Sequence, residues 1–189
     1  MHSHKNRMGH QEAIPGGLTA IELLIALSVV AIIALVAVPG SNMLLGYYRL
    51  NTVSSELVDS LYLARNEAIQ RASTVRVCPS DNGKSCRLNG DWSEGWLVYS
   101  DGNADGEVQE IELLEAVEAP EEHVHIIASG AARKVAGFTA SGLVRDNGSA
   151  SAEFILCSDD SISNPRAIVV DADGWVSVAA TDSRSCKAG

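Results

Sequence analysis

The sequence predicts an α+β protein, with a long N-terminal hydrophobic helix packed against an antiparallel all-β head domain. Three observations carry this. Residues Leu18 to Val38 hold few polar side chains, namely Thr19, Glu22 and Ser28. Beyond them Leu50, Val53, Leu57, Leu61, Ala64 and Ala68 recur at steps of three and four, an apolar stripe along one face of a helix. From Thr74 onward, short runs rich in valine, isoleucine and aromatics alternate with Gly, Asn, Asp and Ser, the punctuation of strands and turns.

The first residues, Met1 to Gly17, carry Lys5, Arg7, His2, His4 and His10 against a single acid, Glu12. Positive charge before an apolar span keeps that end cytoplasmic. The histidines lack further ligands at a fixed spacing, so they read as part of a targeting segment rather than a metal site.

At helical rise, Leu18 to Val38 is roughly 32 Å long, enough to cross a bilayer core. A secretory signal and a buried core helix are the alternatives. The apolar core of a signal is shorter and ends in a small-residue cleavage site, whereas here Pro39-Gly40 and a second helical pattern follow. A carboxylate at the centre of a membrane span costs about 2.5 to 3.5 kcal/mol, less near an end. Glu22 therefore calls for a cation held at the same depth. Pro39 lacks an amide hydrogen, and with Gly40 it is expected to kink or locally melt the helix. The stripe then continues the helix to about Arg71, roughly 80 Å from Leu18, with Glu56, Asp59, Arg65, Glu67 and Arg71 facing outward.

Gly17-Leu18-Thr19-Ala20-Ile21-Glu22-Leu23-Leu24 resembles the processing signature of type IV pilins and type II secretion pseudopilins, departing from it at Leu18, where phenylalanine is usual, and at Ala20. The resemblance implies that prepilin peptidase cuts after Gly17 and methylates the new amine of Leu18. It implies that Glu22 meets the N-terminal amine of a neighbouring subunit during assembly, a pairing that makes the buried carboxylate tolerable and sets register. In this family a proline at the place of Pro39 often marks where the helix loosens in the filament. The implied division is a cleaved leader (1–17), a transmembrane and assembly half of the helix (18–38), an outward amphipathic half (39–72) and a β-rich head (73–189). The implied partners are other pilins or pseudopilins, the inner-membrane assembly platform and prepilin peptidase, with no small-molecule substrate. The implied location is the inner membrane, single-pass, with the head in the periplasm, and assembly into an extracellular pilus is one outcome.

The helix end Leu63-Ala64-Arg65-Asn66-Glu67-Ala68-Ile69 with Val75-Arg76-Val77-Cys78, the run Gly95 to Asp101, and Phe138-Thr139-Ala140-Ser141-Gly142 are similar to the GspH/FimT group of minor pilins and pseudopilins, the FimU-like members among them. Arg65 and Glu67 are read as a solvated helix face or as an interaction site. Candidate strands are Thr74 to Cys78, Trp96 to Tyr99, Glu110 to Leu114, Val124 to Ile127, Val135 to Thr139, Glu153 to Cys157, Ala167 to Val170 and Trp175 to Val178.

All four cysteines follow Pro39, on the disulfide-permissive side. Of three connectivities, Cys78 with Cys86 and Cys157 with Cys186 pairs local with local. The first bridge closes a short loop around Asn82-Gly83 and is worth about 2 to 3 kcal/mol on the chain-entropy model. Asp101, Asn103, Asp105, Gly106 and Glu112 match the spacing of a calcium loop. Such calcium loops join two helices, whereas this stretch lies between two strand-like runs, so a bare surface connection is the favoured reading and calcium, the sole cofactor the sequence raises, is the alternative.

No nucleophile elbow, phosphate loop or dinucleotide fingerprint occurs, and His123 with His125 lacks a third ligand, so the reading is not an enzyme. A formal net charge of -10 argues against nucleic-acid binding, which needs clustered cations. The rival reading is a DNA-binding minor pilin for DNA uptake. Such pilins carry a Gly-Arg-x-Arg motif near the C-terminus, and the corresponding place, Gly174-Trp175-Val176-Ser177, has neither arginine. Arg133, Lys134, Arg145, Arg166, Arg184 and Lys187 are scattered among acids.

Overall fold

The computed structural model describes residues 19–87, 92–120, 124–144, 151–159, 164–181 and 186, without the side chains of 36–44. The chain divides into two compact units, Met1–Gly40 and Ser41–Gly189.

In the first unit, helix α1 (Ala20–Arg71) begins. Its large apolar side chains from Ile21 to Leu35 point to every side and are between 50% and 78% exposed, the signature of a helix that expects cover all round. Glu22 and Ser28 are the polar exceptions, and the Ser28 hydroxyl donates to the Leu24 carbonyl at 2.8 Å, which satisfies it within the helix. Among the described residues no helix is long and apolar enough to cross a membrane; Leu18 and the side chains of 36–38, part of the expected span, lie outside them. The backbone of α1 is helical through Pro39 and Gly40, so the expected local melting is not seen there. Proline removes one donor, and the bonds of its neighbours can carry the helix past it.

The second unit wraps two four-stranded antiparallel sheets around the rest of α1. One sheet has the order β3-β2-β1-β5 and the other β4-β6-β7-β8. The strands are β1 (Thr74–Pro79), β2 (Gly95–Asp101), β3 (Leu113–Glu118), β4 (Val124–Gly130), β5 (Ala136–Phe138), β6 (Ala152–Ser158), β7 (Arg166–Val170) and β8 (Val176–Ala180). Short 3-10 turns at Trp92–Glu94 and Ala131–Arg133 were not anticipated from sequence.

The stripe Leu50, Val53, Leu57, Leu61, Ala64 and Ala68 is buried along its length, at most 3% exposed. It forms one core with Val75, Val77, Trp96 and Val98 of the first sheet and Phe154, Leu156, Ile168 and Val170 of the second. Alternation puts these residues on the inner face of each strand. Trp92 closes the core from its 3-10 turn, edge-on to Phe154 with ring centroids 4.9 Å apart, and its indole N–H donates to the Ala132 carbonyl at 3.1 Å.

Helix α1 ends at Ala72, whose φ of 50° is left-handed. The Ser73 amide donates to the Ala68 carbonyl (3.2 Å) and the Ala72 amide to that of Ile69 (3.3 Å), which is the paired closure of a Schellman end. No glycine marks it.

Seven strands lie where the sequence places them, within a residue or two except for β4, which runs on to Gly130. The third is displaced: the expected Glu110 to Leu114 becomes Leu113–Glu118. The Glu112 and Leu113 amides both donate to the Gln109 carbonyl, a turn that consumes the start of the expected strand and leaves Ile111 88% exposed. Pairing with β2 begins only at Tyr99↔Leu113, next to a register shift between Val98 and Tyr99.

Two disulfides staple this unit. Cys78–Cys86 ties the end of β1 to its loop, with Cα atoms 5.5 Å apart, and Cys157–Cys186 ties the C-terminal tail to β6, at 5.9 Å.

Candidate functional site

Thr19-Ala20-Ile21-Glu22 spaces a hydroxyl and a carboxylate three residues apart at the start of α1. The Glu22 amide donates to Thr19 Oγ1 at 3.3 Å, and the Thr19 amide to Glu22 Oε2 at 3.5 Å. This reciprocal cap satisfies two donors of the first turn and holds the carboxylate at the positive end of the helix dipole. Sequence reasoning aimed Glu22 at a neighbouring subunit alone. Within one chain it also has Thr19, and the Thr-x-x-Glu spacing is the signal for that contact. Gly17 and Leu18, and the Pro39 side chain, lie outside the described residues.

Further along α1, polar side chains bind the helix to the head. The buried Ser60 hydroxyl accepts from Trp96 Nε1 at 2.9 Å and donates to Glu115 Oε2 at 2.7 Å, linking α1 to β2 and β3. The Tyr62 hydroxyl donates to the Val176 carbonyl at 3.3 Å. Arg65 donates from Nε to the Gly142 carbonyl (3.3 Å) and from Nη2 to that of Asp173 (3.1 Å). These carbonyls belong to two neighbouring turns, themselves joined by the bond from the Val144 amide to the Ala172 carbonyl. Arg65 is thus neither a free solvated residue nor an open interaction site: it is a clamp within the chain. Glu67 forms an ion pair with Arg71 one turn on, at 2.5 Å.

At the base of the head, Tyr47 and Tyr48 are 53% and 58% exposed. Their rings meet edge to face with centroids 6.2 Å apart, and the Arg166 guanidinium from β7 lies over the Tyr47 ring, 5.7 Å from its centroid.

In the acidic loop, Asp101 is fully buried and accepts from Arg76 Nε at 2.6 Å and from the Gly106 amide at 3.3 Å. Asn103 Nδ2 donates to Asp105 Oδ2 at 2.7 Å, and Gln109 Nε2 donates to the same oxygen at 3.0 Å. Glu112 Oε2 is buried without a hydrogen-bond partner. Among the described residues no three His, Cys, Asp or Glu side chains converge as a metal site would require. His125 Nε2 lies 2.9 Å from Asp159 Oδ1, and His123 falls outside the described residues.

Gly174 and Trp175 complete the turn from β7 into β8, and Val176 and Ser177 open β8. Gly174 has a φ of 77°, and a Cβ there would run into the Gly142 carbonyl and the Arg65 side chain. Trp175 is 60% exposed. Arg166 stacks on Tyr47 rather than joining this turn.

An apolar helix whose second half is clasped by two antiparallel four-stranded sheets defines a pilin-like subunit. A family model described as "Type II transport protein GspH" matches residues 54–174, and the chain belongs to that family, the GspH/FimT-like group of minor pilins and pseudopilins. Its role is accordingly that of a structural minor pilin or pseudopilin, in a family that is not enzymatic, assembles with other pilins and is usually membrane-anchored. Among solved structures, the chain is similar to the type IV minor pilin FimU of Pseudomonas aeruginosa. Identity is 18%, coverage 69% of this chain and 87% of that one, and the TM-score 0.53. It is also similar to the minor pseudopilin EpsH from the type II secretion system of Vibrio cholerae, at 10% identity, 70% and 97% coverage and a TM-score of 0.50. At these identities the likeness is one of fold. No curated protein sequence matches the chain significantly.

Proposed function

We propose that the chain enters a filament through α1, after prepilin peptidase removes residues 1–17 and methylates Leu18, and that Glu22 then pairs with the N-terminal amine of a neighbouring subunit. The observation that carries this is the all-round exposure of the apolar side chains from Ile21 to Leu35. Lipid covers such a surface before assembly, and neighbouring helices cover it afterwards by close packing. The head faces the periplasm in this reading. The filament is a type IV pilus or the pseudopilus of a type II secretion system, since both are built on this leader and helix.

The Thr19 cap gives Glu22 a partner while the subunit waits in the membrane. Assembly exchanges an exposed, weakly bonded cap for a charge pair, a gain available only when a cation arrives at the same depth. Glu22→Ala should therefore leave membrane insertion intact and reduce incorporation into filaments, measured by immunoblot of sheared filaments against the membrane fraction. Unchanged incorporation of that variant would remove the pairing from the account.

The alternative, a DNA receptor for uptake, needs basic side chains at Gly174 to Ser177, where there are none. Tight duplex binding in a gel shift at moderate salt would revive it.

A further inference from the structure

The two sheets end on β3 and β5 in one and on β4 and β8 in the other, and all of these edges but β8 are blunted. β3 carries Glu115 and Glu118 and pairs with β2 across a register shift. β5 has only three residues, and its Phe138 is bridged to Val144. On β4 the Ile126 amide, which points away from β6, donates to Ser93 Oγ at 2.9 Å. Charge, shortness and covered amides are how sheets avoid pairing with other chains. β8 has none of these. Val176-Ser177-Val178-Ala179-Ala180 holds no charge and no proline, and its last four residues are exposed.

The bonds at the two ends of β8 show which backbone groups are open. The Asp171 amide donates to the Trp175 carbonyl, and the Thr181 amide to that of Pro165. Alternation along an antiparallel ladder then turns Ser177 and Ala179 toward β7, and turns the N–H and C=O of Val176, Val178 and Ala180 away from it. The Tyr62 hydroxyl takes the Val176 carbonyl. The outward groups of Val178 and Ala180 have no partner among the described residues.

A groove of about 260 Å³ lies between this strand and α1, lined by Asn51, Ser54, Ser55, Asp59 and Val178. Ser54 is 4% exposed. Among the described residues none of these four polar side chains meets a hydrogen-bond partner. A buried hydroxyl left unpaired costs free energy, so the groove favours an occupant that brings polar groups with it.

These features identify the occupant. Open N–H and C=O groups on alternate residues of an edge are met by another extended backbone. The chain's own tail is held elsewhere, since Cys186 is bonded to Cys157 on β6, two strands in from β8. Pairing β8 with β8 of a second copy is an isologous contact, which closes as a dimer instead of continuing a filament. The remaining edges of a second copy are the blunted ones. What fits is an extended segment of a different chain.

We propose that β8 is a docking edge for an extended segment of a different pilin or pseudopilin subunit. That segment adds to the second sheet beside β8 and turns polar side chains toward Asn51, Ser55 and Asp59. This rests on the reading that the chain is built into a filament with other such subunits.

The test uses the full chain in cells that assemble it, with the photo-cross-linker p-benzoylphenylalanine at the place of Ala179, and identifies the joined peptide by mass spectrometry. Illumination should join position 179 to one extended segment of a different pilin subunit. Val178→Pro removes an outward amide that the ladder with β7 does not use, a place where an edge strand tolerates proline. It should lose most of the adduct while Tm in detergent and both disulfides are kept, and Val178→Thr, which keeps the amide, should retain it. Ala180→Lys puts a charge on the edge without removing a backbone donor, and should also lose the adduct. An adduct with a second copy alone, or one that survives both Val178→Pro and Ala180→Lys, overturns the docking edge. So does the lack of any adduct from a chain that is processed at Leu18 and present in filaments, and that result leaves the filament reading standing. A chain found in no assembly with other pilins overturns both.

Discussion

The Arg65 guanidinium lies 3.3 Å from the carbonyl oxygen of Gly142, a residue separated from it by 77 positions in the chain. A second bond from the same side chain reaches the Asp173 carbonyl, so one helix residue holds two turns in place. Charge-assisted bonds of this kind contribute about 1.5 to 3 kcal/mol each when buried and less when exposed. This pair is part-buried and exposed respectively, which puts the expected effect at the low end. Arg65→Met keeps the stem that packs on the turn glycines and removes the donors. It should lower stability by about 1 to 2 kcal/mol in urea unfolding of the whole chain in detergent, with little change in the m-value.

Ser60 is the second joint between helix and sheets. Its hydroxyl is the acceptor for the indole N–H of Trp96, which is fully buried. Ser60→Ala leaves that donor unpaired in a dry site, at a cost of about 1 to 3 kcal/mol. The same unfolding measurement checks it, and Ser60→Thr, which keeps the hydroxyl, should recover part of the loss.

Ala72 occupies a left-handed conformation at the end of α1, where a side chain costs about 1 to 2 kcal/mol. Ala72→Gly relieves that strain and gives back part of the gain as unfolded-chain entropy. A net stabilisation of about 0.5 to 1 kcal/mol should appear as a raised Tm in thermal unfolding. A lowered Tm would show that the glycine costs more than it relieves.

The loop from Asp101 to Glu112 should bind calcium poorly despite its spacing. Asp101 is committed to Arg76, and Asn103 and Asp105 are committed to each other. A cation would have to break these contacts before collecting its six to eight oxygens. Isothermal titration of the full chain in detergent with millimolar calcium should give no binding heat; a saturable signal would mean that the loop rearranges around the ion.

Much of this fold is legible in the sequence because it follows from periodicity. The apolar stripe from Leu50 to Ala68 is buried throughout, since steps of three and four put those residues on one helix face whatever packs there. Most strands follow from turn residues that interrupt β-branched runs. The start of β3 does not, because Ile111-Glu112-Leu113-Leu114 alternates plausibly as a strand while the ladder with β2 begins only at Leu113. The clamp at Arg65 left no trace either: its partners are backbone carbonyls far along the chain, and any residue supplies a carbonyl. Ala72 likewise gave no sign, since helix ends of this kind are read from glycine. The Thr19 cap, by contrast, stands in the sequence as Thr-x-x-Glu and was obscured by the apolar run around it.

The central claim is that this chain becomes a filament subunit by way of a processed α1. Mass spectrometry of sheared surface filaments and of the inner-membrane fraction tests it most directly. The account predicts an N-terminal peptide beginning at methylated Leu18, found together with head peptides in one or both fractions. Their presence in surface filaments would assign a pilus, and confinement to the membrane fraction a pseudopilus. A chain that retains residues 1–17 in cells with active prepilin peptidase would contradict it.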